Sequence, residues 1–111
     1  MIYYMELDNE PFELIKYKKK TVEMRLNYKN RENIKKGDII EFKNNKTFEI
    51  IKCIVLNNYK YKDFFELYNN HTKESIGYNI LDEANPSDMY RYYKKEDILK
   101  YGVLAIEIKL I

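Results

Sequence analysis

Residues 17–26, "YKKKTVEMRL", run three lysines into a segment of strict alternation. Val22, Met24 and Leu26 fall on one side and Thr21, Glu23 and Arg25 on the other, because successive side chains of an extended chain point to opposite faces. The pattern predicts a half-buried strand with a polar outer face. Glu23 and Arg25 then point the same way, about 6–7 Å apart at the backbone, so both reach one ligand. Arginine offers a planar fork of donors for phosphate, carboxylate or a base edge, and glutamate an acceptor for an exocyclic amine. The same spacing also suits an ordinary same-face ion pair, worth about 0–1 kcal/mol if exposed. Lys20 is out of phase with Glu23, so it joins the pair only from a turn or a bulge.

The elements on either side follow from local signals. Upstream, "YMEL" is too short to assign alone, whereas "DNEPFELIKY" reads as a helix. Asp8 or Asn9 caps it, Pro11 suits its first turn, and Phe12, Ile15 and Leu14 supply the apolar face. Downstream, "NYKNRENIKKGD" is a polar connection with room for one helical turn, and Gly37-Asp38 marks a tight turn into "IIEF". "TFEIIKCIVL" is a long apolar strand whose alternation slips near Ile50 and Ile51, as at a bulge or a barrel corner. "YKDFFELYNNH" predicts a helix with Phe64, Leu67, Tyr68 and His71 on one face, Asp63 as cap and Glu66 in capping-box register. "NPSDMYRYYKKEDILKYG" predicts one or two short helices, with Ser87 as cap and Gly102 as stop. "VLAIEIKLI" is a closing strand.

A chain of 111 residues fits a single domain, and 45% hydrophobic with 34% charged residues is a folding composition. Cys53, the one cysteine, lies in an apolar run and reads as a buried, inert thiol, so neither a disulfide nor a thiolate metal cage is expected. His71, the one histidine, has no ligating partners in sequence and reads as a surface residue at a helix end. No cofactor or metal is implied. "MIYYMELDNE" has neither a basic leader nor an unbroken apolar core, and no apolar run approaches the roughly 18 residues of a membrane span, so a cytoplasmic, non-membrane protein is expected. The net charge of +2 is unevenly spread. Residues 16–36 carry nine Lys and Arg against Glu23 and Glu32, while residues 1–15 carry four acids and no base. The basic segment is either a solvated loop or the rim of an anion site. The twelve tyrosines are core and rim packing or stacking platforms.

K-x-x-E-x-R, here Lys20, Glu23 and Arg25, stands after a short helix and before the turn and strand "IKKGDIIEF". In this it resembles the ASCH domain, of the PUA-like group. "PFELI", "KKTVEMRL", "GDIIEF", "FFELY", "IGY", "MYRYY" and "GVLAIEI" extend the likeness to the small stand-alone bacterial and archaeal ASCH proteins. The resemblance implies an α+β fold: a small PUA-like β-barrel of five to six mostly antiparallel strands flanked by short helices, spanning residues 1–111, with the motif lining a cleft. The family motif usually carries glycine two residues before its lysine. Here that place is Lys18, so the turn is made without glycine's freedom at positive φ.

The function so implied is binding of RNA or a nucleotide-like ligand, in connection with translation or RNA metabolism. Lys20 would meet an anionic or carbonyl group, Glu23 would accept from a base or order Lys20, and Arg25 would clamp phosphate or base. Tyr92 or Tyr93 would give a stacking wall or pack in the core. Lys18 and Lys19, with Lys16, Lys35 and Lys36, would form a basic rim giving salt-dependent attraction to a backbone. One branch of the family resembles an amidohydrolase that removes the acetyl group of acetylcytidine. It uses the motif lysine, a threonine at the place of Glu23, and a glutamate after the middle helix. Lys20 matches that lysine and Glu74 stands near the place of that glutamate, whereas Glu23 departs from the threonine, and its carboxylate would blunt Lys20 as a nucleophile. A third reading is a metabolite-sensing or interaction module.

Overall fold

The computed structural model describes residues 1–111. Five strands share one curled sheet: β1 (Ile2–Leu7), β2 (Val22–Leu26), β3 (Ile39–Asn44), β4 (Ile50–Tyr61) and β5 (Val103–Leu110), in the order β1-β3-β4-β5-β2. β1 runs parallel to β3, and the other three pairings are antiparallel. The sheet curls into a half-barrel with helices α1 (Asn9–Lys16), α2 (Phe64–Asn70) and α3 (Lys95–Tyr101), and 3₁₀ turns at Arg31–Asn33 and Pro86–Arg91. This is an α+β fold. No helix is long and apolar enough to cross a membrane.

The short "YMEL" becomes an edge strand because the sheet supplies what the local pattern lacks. Met5 and Leu7 are buried on the concave side with Phe12 and Ile15 of α1, Phe42 of β3, Val55 of β4 and Ile106 of β5. A second core lies on the other side of β2 and β5, where Val22, Met24, Leu26, Val103 and Ala105 meet Phe64, Leu67, Met89 and Ile98. Burying each of the three fully buried phenylalanines, Phe12, Phe42 and Phe64, contributes about 1.5–3 kcal/mol relative to exposure.

These two cores correct the reading of β2 as half-buried. Val22, Glu23, Met24 and Leu26 are all buried and Arg25 is half-buried. One face of β2 packs on the helical layer and the other looks into the half-barrel, so Glu23 sits where alternation alone would put solvent.

Four local expectations are also revised. The bulge of β4 lies between Val55 and Asn57, not at Ile50 and Ile51; the slip in pattern arises because Ile50 is an exposed isoleucine on a regular ladder. The 3₁₀ turn at Pro86 is capped by Asn85, whose Oδ1 accepts from Ser87 N (3.0 Å) and Ser87 Oγ (2.9 Å), so Ser87 is a donor and not the cap. Asp8 holds the N-cap place of α1 but makes no cap bond; its carboxylate accepts from Asn45 Nδ2 instead. His71 is not a free surface residue: its ring lies 5.5 and 5.6 Å from the rings of Tyr59 and Tyr61, and its Nε2 is 2.9 Å from Tyr61 Oη. Burial lowers its pKa. Asp63 caps α2 as expected, accepting from Glu66 N at 2.9 Å. Cys53 is fully buried, and burial pushes its thiol up to about 11.

Candidate functional site

The turn after α1 determines where Lys20 goes. Lys19 N and Lys20 N both donate to Leu14 O (2.8 and 3.0 Å), and Lys18 N donates to Ile15 O (3.0 Å). Such a tight reversal needs one left-handed residue, and Lys18 takes it with φ 64°. A side chain in that region costs on the order of 1 kcal/mol. Lys18→Gly removes this strain but loosens the unfolded chain by about 0.4–1 kcal/mol, so the two effects nearly offset and a net change within about 0.6 kcal/mol on the stabilising side is expected in denaturant melts. A variant less stable than the parent by about 0.4–1 kcal/mol, the full cost of glycine in the unfolded chain, would show that the turn is unstrained.

Because Lys20 lies in this reversal, ahead of β2, it escapes the strand's phase and folds back over Glu23. Its Nζ stands 2.9 Å from Glu23 Oε1, while Arg25 Nε donates to Glu23 Oε2 at 2.8 Å. Lys20 and Glu23 are both buried. Burial pushes the Glu23 carboxyl up, but the charges and hydrogen bonds of Lys20 and Arg25 outweigh it and hold the group below the ordinary carboxylate range. Gly77 makes room for the lysine stem: a Cβ there would stand 3.3 Å from Lys20 Cδ, and its φ of +113° suits only glycine comfortably.

Arg25 has a second task. β1 and β2 are the two free edges of the sheet, and Arg25 Nη2 donates to Glu6 O of β1 at 2.8 Å. One side chain thus spans the seam where no ladder closes the barrel.

A cleft of about 390 Å³ lies at this seam. Lys20, Glu23, Met24 and Arg25 line it, against Leu14 of α1 and Tyr68 of α2. Gly77, Tyr78 and the segment Asp88–Tyr93 close the far wall, Tyr90 excepted. Tyr78 Oη donates to Asp88 Oδ2 at 2.7 Å and is 2.9 Å from Tyr68 Oη, a chain that braces this wall. Burial and these partners push the Tyr78 hydroxyl pKa far up. Six acids line the cleft, Glu6, Asp8, Glu10, Glu23, Asp82 and Asp88, against three bases, Lys20, Arg25 and Arg91.

The structure therefore unites Lys20, Glu23, Arg25, Tyr92 and Tyr93 at one cleft. The two tyrosines differ: Tyr93 stacks on Phe64 (6.1 Å between centroids, 16° between planes), whereas Tyr92 is 55% exposed. Lys18 and Lys19 are exposed and do not line the cleft, nor do Lys16, Lys35 and Lys36. Glu74 is exposed and is not among the lining residues. Sequence reasoning missed Gly77, Tyr78, Asp88 and Arg91, and took Tyr68 only as a helix-face residue. Three of these lie in the stretches "IGY" and "MYRYY", whose signal is resemblance and not period.

The ASCH domain model matches residues 5–111. The hypothetical protein PH0355, a crystal structure, is 34% identical with a TM-score of 0.83 over 100% of both chains. Protein PF0455 from Pyrococcus furiosus is 35% identical with a TM-score of 0.75, over 100% of this chain and 98% of that one. An ASCH domain from Lactobacillus crispatus JV V101 shares 11% identity and a TM-score of 0.62 over 97% of this chain and 79% of that one, a likeness of fold alone. No curated protein matches.

Proposed function

Since this chain belongs to the ASCH domain family, a PUA-like fold often linked to RNA binding, we propose that it binds an unpaired RNA base or a nucleotide-like molecule in the seam cleft. The observation that carries this reading is the buried Lys20–Glu23–Arg25 cluster inside a cleft flanked by tyrosines. Lysine has three donors and arginine five. The contacts to Glu23 and Glu6 O engage only part of them, so both keep N–H groups for carbonyl or ring-nitrogen acceptors. Tyr92, exposed beside them and with the Arg91 guanidinium 5.8 Å from its ring centre, offers an aromatic surface for stacking. The acidic lining decides which part of the ligand enters: a phosphate would meet Glu6, Asp8, Glu10 and Asp82, so the base goes in and any backbone stays out. A role in translation or RNA metabolism would follow from such single-strand recognition.

The test is a titration of short single-stranded RNAs and of the four ribonucleosides, at low and at physiological salt. Base stacking on an aromatic residue is worth about 1–3 kcal/mol, so Tyr92→Ala should weaken binding roughly 5- to 150-fold. Tyr92 is exposed, so the variant should fold as the parent does. Failure of every RNA and nucleoside to bind at low salt removes the proposal; a metabolite pool that raised the melting point instead would favour the sensing reading. The geometry favours binding over amide hydrolysis, because Lys20 is engaged in an ion pair and Glu74 stands outside the cleft lining.

A further inference from the structure

The hydrogen-bond phase of β2 shows what its free edge offers. Ile108 N donates to Thr21 O (2.9 Å) and Asn27 N to Gly102 O (3.0 Å), so the odd-numbered residues of β2 bond to β5. The backbone groups of Val22, Met24 and Leu26 therefore turn away from β5, toward the seam. Val22 N is taken by Ser75 O (2.9 Å) and Leu26 O by Tyr28 N (2.8 Å). Met24 N–H and C=O have no protein partner, although the residue is buried. Buried main-chain groups are rarely left without one.

The lining of the cleft shows where these two groups point. Glu23, Met24 and Arg25 all border it. Side chains of consecutive strand residues lie on opposite faces, so a cavity touching all three runs along the strand's edge and not over one face. The edge atoms of β2 at that place are Met24 N and O.

Resting on the base-binding reading above, we propose that the Met24 main chain is the ligand-reading edge of the site. Its N–H takes a ring or carbonyl acceptor of a planar base, and its C=O takes the adjacent N–H or amino donor. Nucleobases present such adjacent acceptor and donor groups on one edge. An added peptide strand fits less well, because it needs a run of free edge residues. Here Val22 and Leu26 are each half-engaged and neither lines the cleft, which leaves an opening one residue wide. Lys20 and Arg25 then flank the base instead of carrying all of its recognition, and ligand choice is written partly in backbone that no side-chain substitution alters.

Two measurements test this. In amide-resolved NMR of the unmodified protein titrated with ribonucleosides, the Met24 amide proton should shift more than those of Val22 and Leu26, and its exchange with solvent should slow on saturation. In a semisynthetic protein with an ester in place of the Met24 amide, nucleoside affinity should fall roughly 3- to 10-fold, the loss of one ordinary hydrogen bond. The same change at Leu26, whose N–H shares the edge but not the cleft, should leave affinity unaltered. Nucleosides that bind while Met24 stays unmoved, with no loss in the ester, overturn this inference and leave the base-binding reading standing. Extended peptides that shift Met24 when nucleosides do not would overturn both.

Discussion

Glu23→Ala should destabilise the protein by about 3–5 kcal/mol, the usual result of removing one partner from a buried ion cluster. Lys20 would be left buried beside an empty space, and Arg25 would lose the carboxylate that aligns it for the reach to Glu6 O. For a chain of this size the melting temperature should fall on the order of 10–20 °C. Glu23→Gln, which keeps the volume but not the charge, should recover part of the packing and little of the electrostatics. The pH dependence has a definite sign. The folded carboxyl is held below its ordinary value near 4.5, so the unfolded state binds the proton first. The stabilisation is complete above that value and is lost as pH falls through the folded pKa. Melts of the parent from about pH 7 to pH 3 should show an acid-side loss that Glu23→Ala lacks. A variant within about 1 kcal/mol of the parent, or one with the same acid slope, would mean that the cluster is solvated and not a sealed floor of the cleft.

Gly102→Ala should cost about 2–4 kcal/mol, for reasons unrelated to the cleft. Gly102 ends α3 with φ 75° and ψ −178°, a conformation reached almost only by glycine. An added Cβ would stand 2.9 Å from the backbone oxygen of Tyr61, closer than real Cβ contacts. Relief by local rotation is blocked on both sides, since Gly102 N donates to Ile98 O (2.9 Å) and Gly102 O accepts from Asn27 N (3.0 Å). The strain must therefore pass into the β4–β5 ladder that begins at Tyr61 and Val103. Equilibrium denaturation measures the cost, and the folded fraction should still show Tyr92-dependent binding. A loss below about 1 kcal/mol would show that β5 can slide to accommodate the methyl group.

The sequence was legible wherever local pattern and tertiary setting agreed. α1, α2 and β5 announced themselves by period and by caps such as Asp63, and Gly102 marked a real stop. β1 did not, because six residues pairing with β3 across the sheet carry no local signature of that partner. At β2, alternation put Glu23 and Arg25 on one face but predicted solvent there; Glu23 is buried because that face looks into the half-barrel while Val22, Met24 and Leu26 on the other face pack on the helical layer. Lys20 was out of reach of any period, since its position depends on a left-handed Lys18 and a cleared space at Gly77. Family resemblance supplied Lys20, and the reversal after α1 supplies its physical reason. The acidic lining was legible only in part: the acid-rich start of the chain supplies Glu6, Asp8 and Glu10, but nothing in the sequence joins them to Asp82 and Asp88, which meet them only in the folded chain.

The stapled seam also divides the protein's freedom to change. Arg25 ties the two sheet edges together, and Glu23, paired with Lys20, aligns it, so drift at these three positions exacts a penalty in folding before it can yield a new specificity. The far wall is different, for Tyr92, Arg91 and Asp82 stand on exposed turns outside every ladder. Those positions can vary with little consequence for the fold. A lineage of such proteins can thus exchange one ligand for another by rewriting the wall while the floor stays fixed.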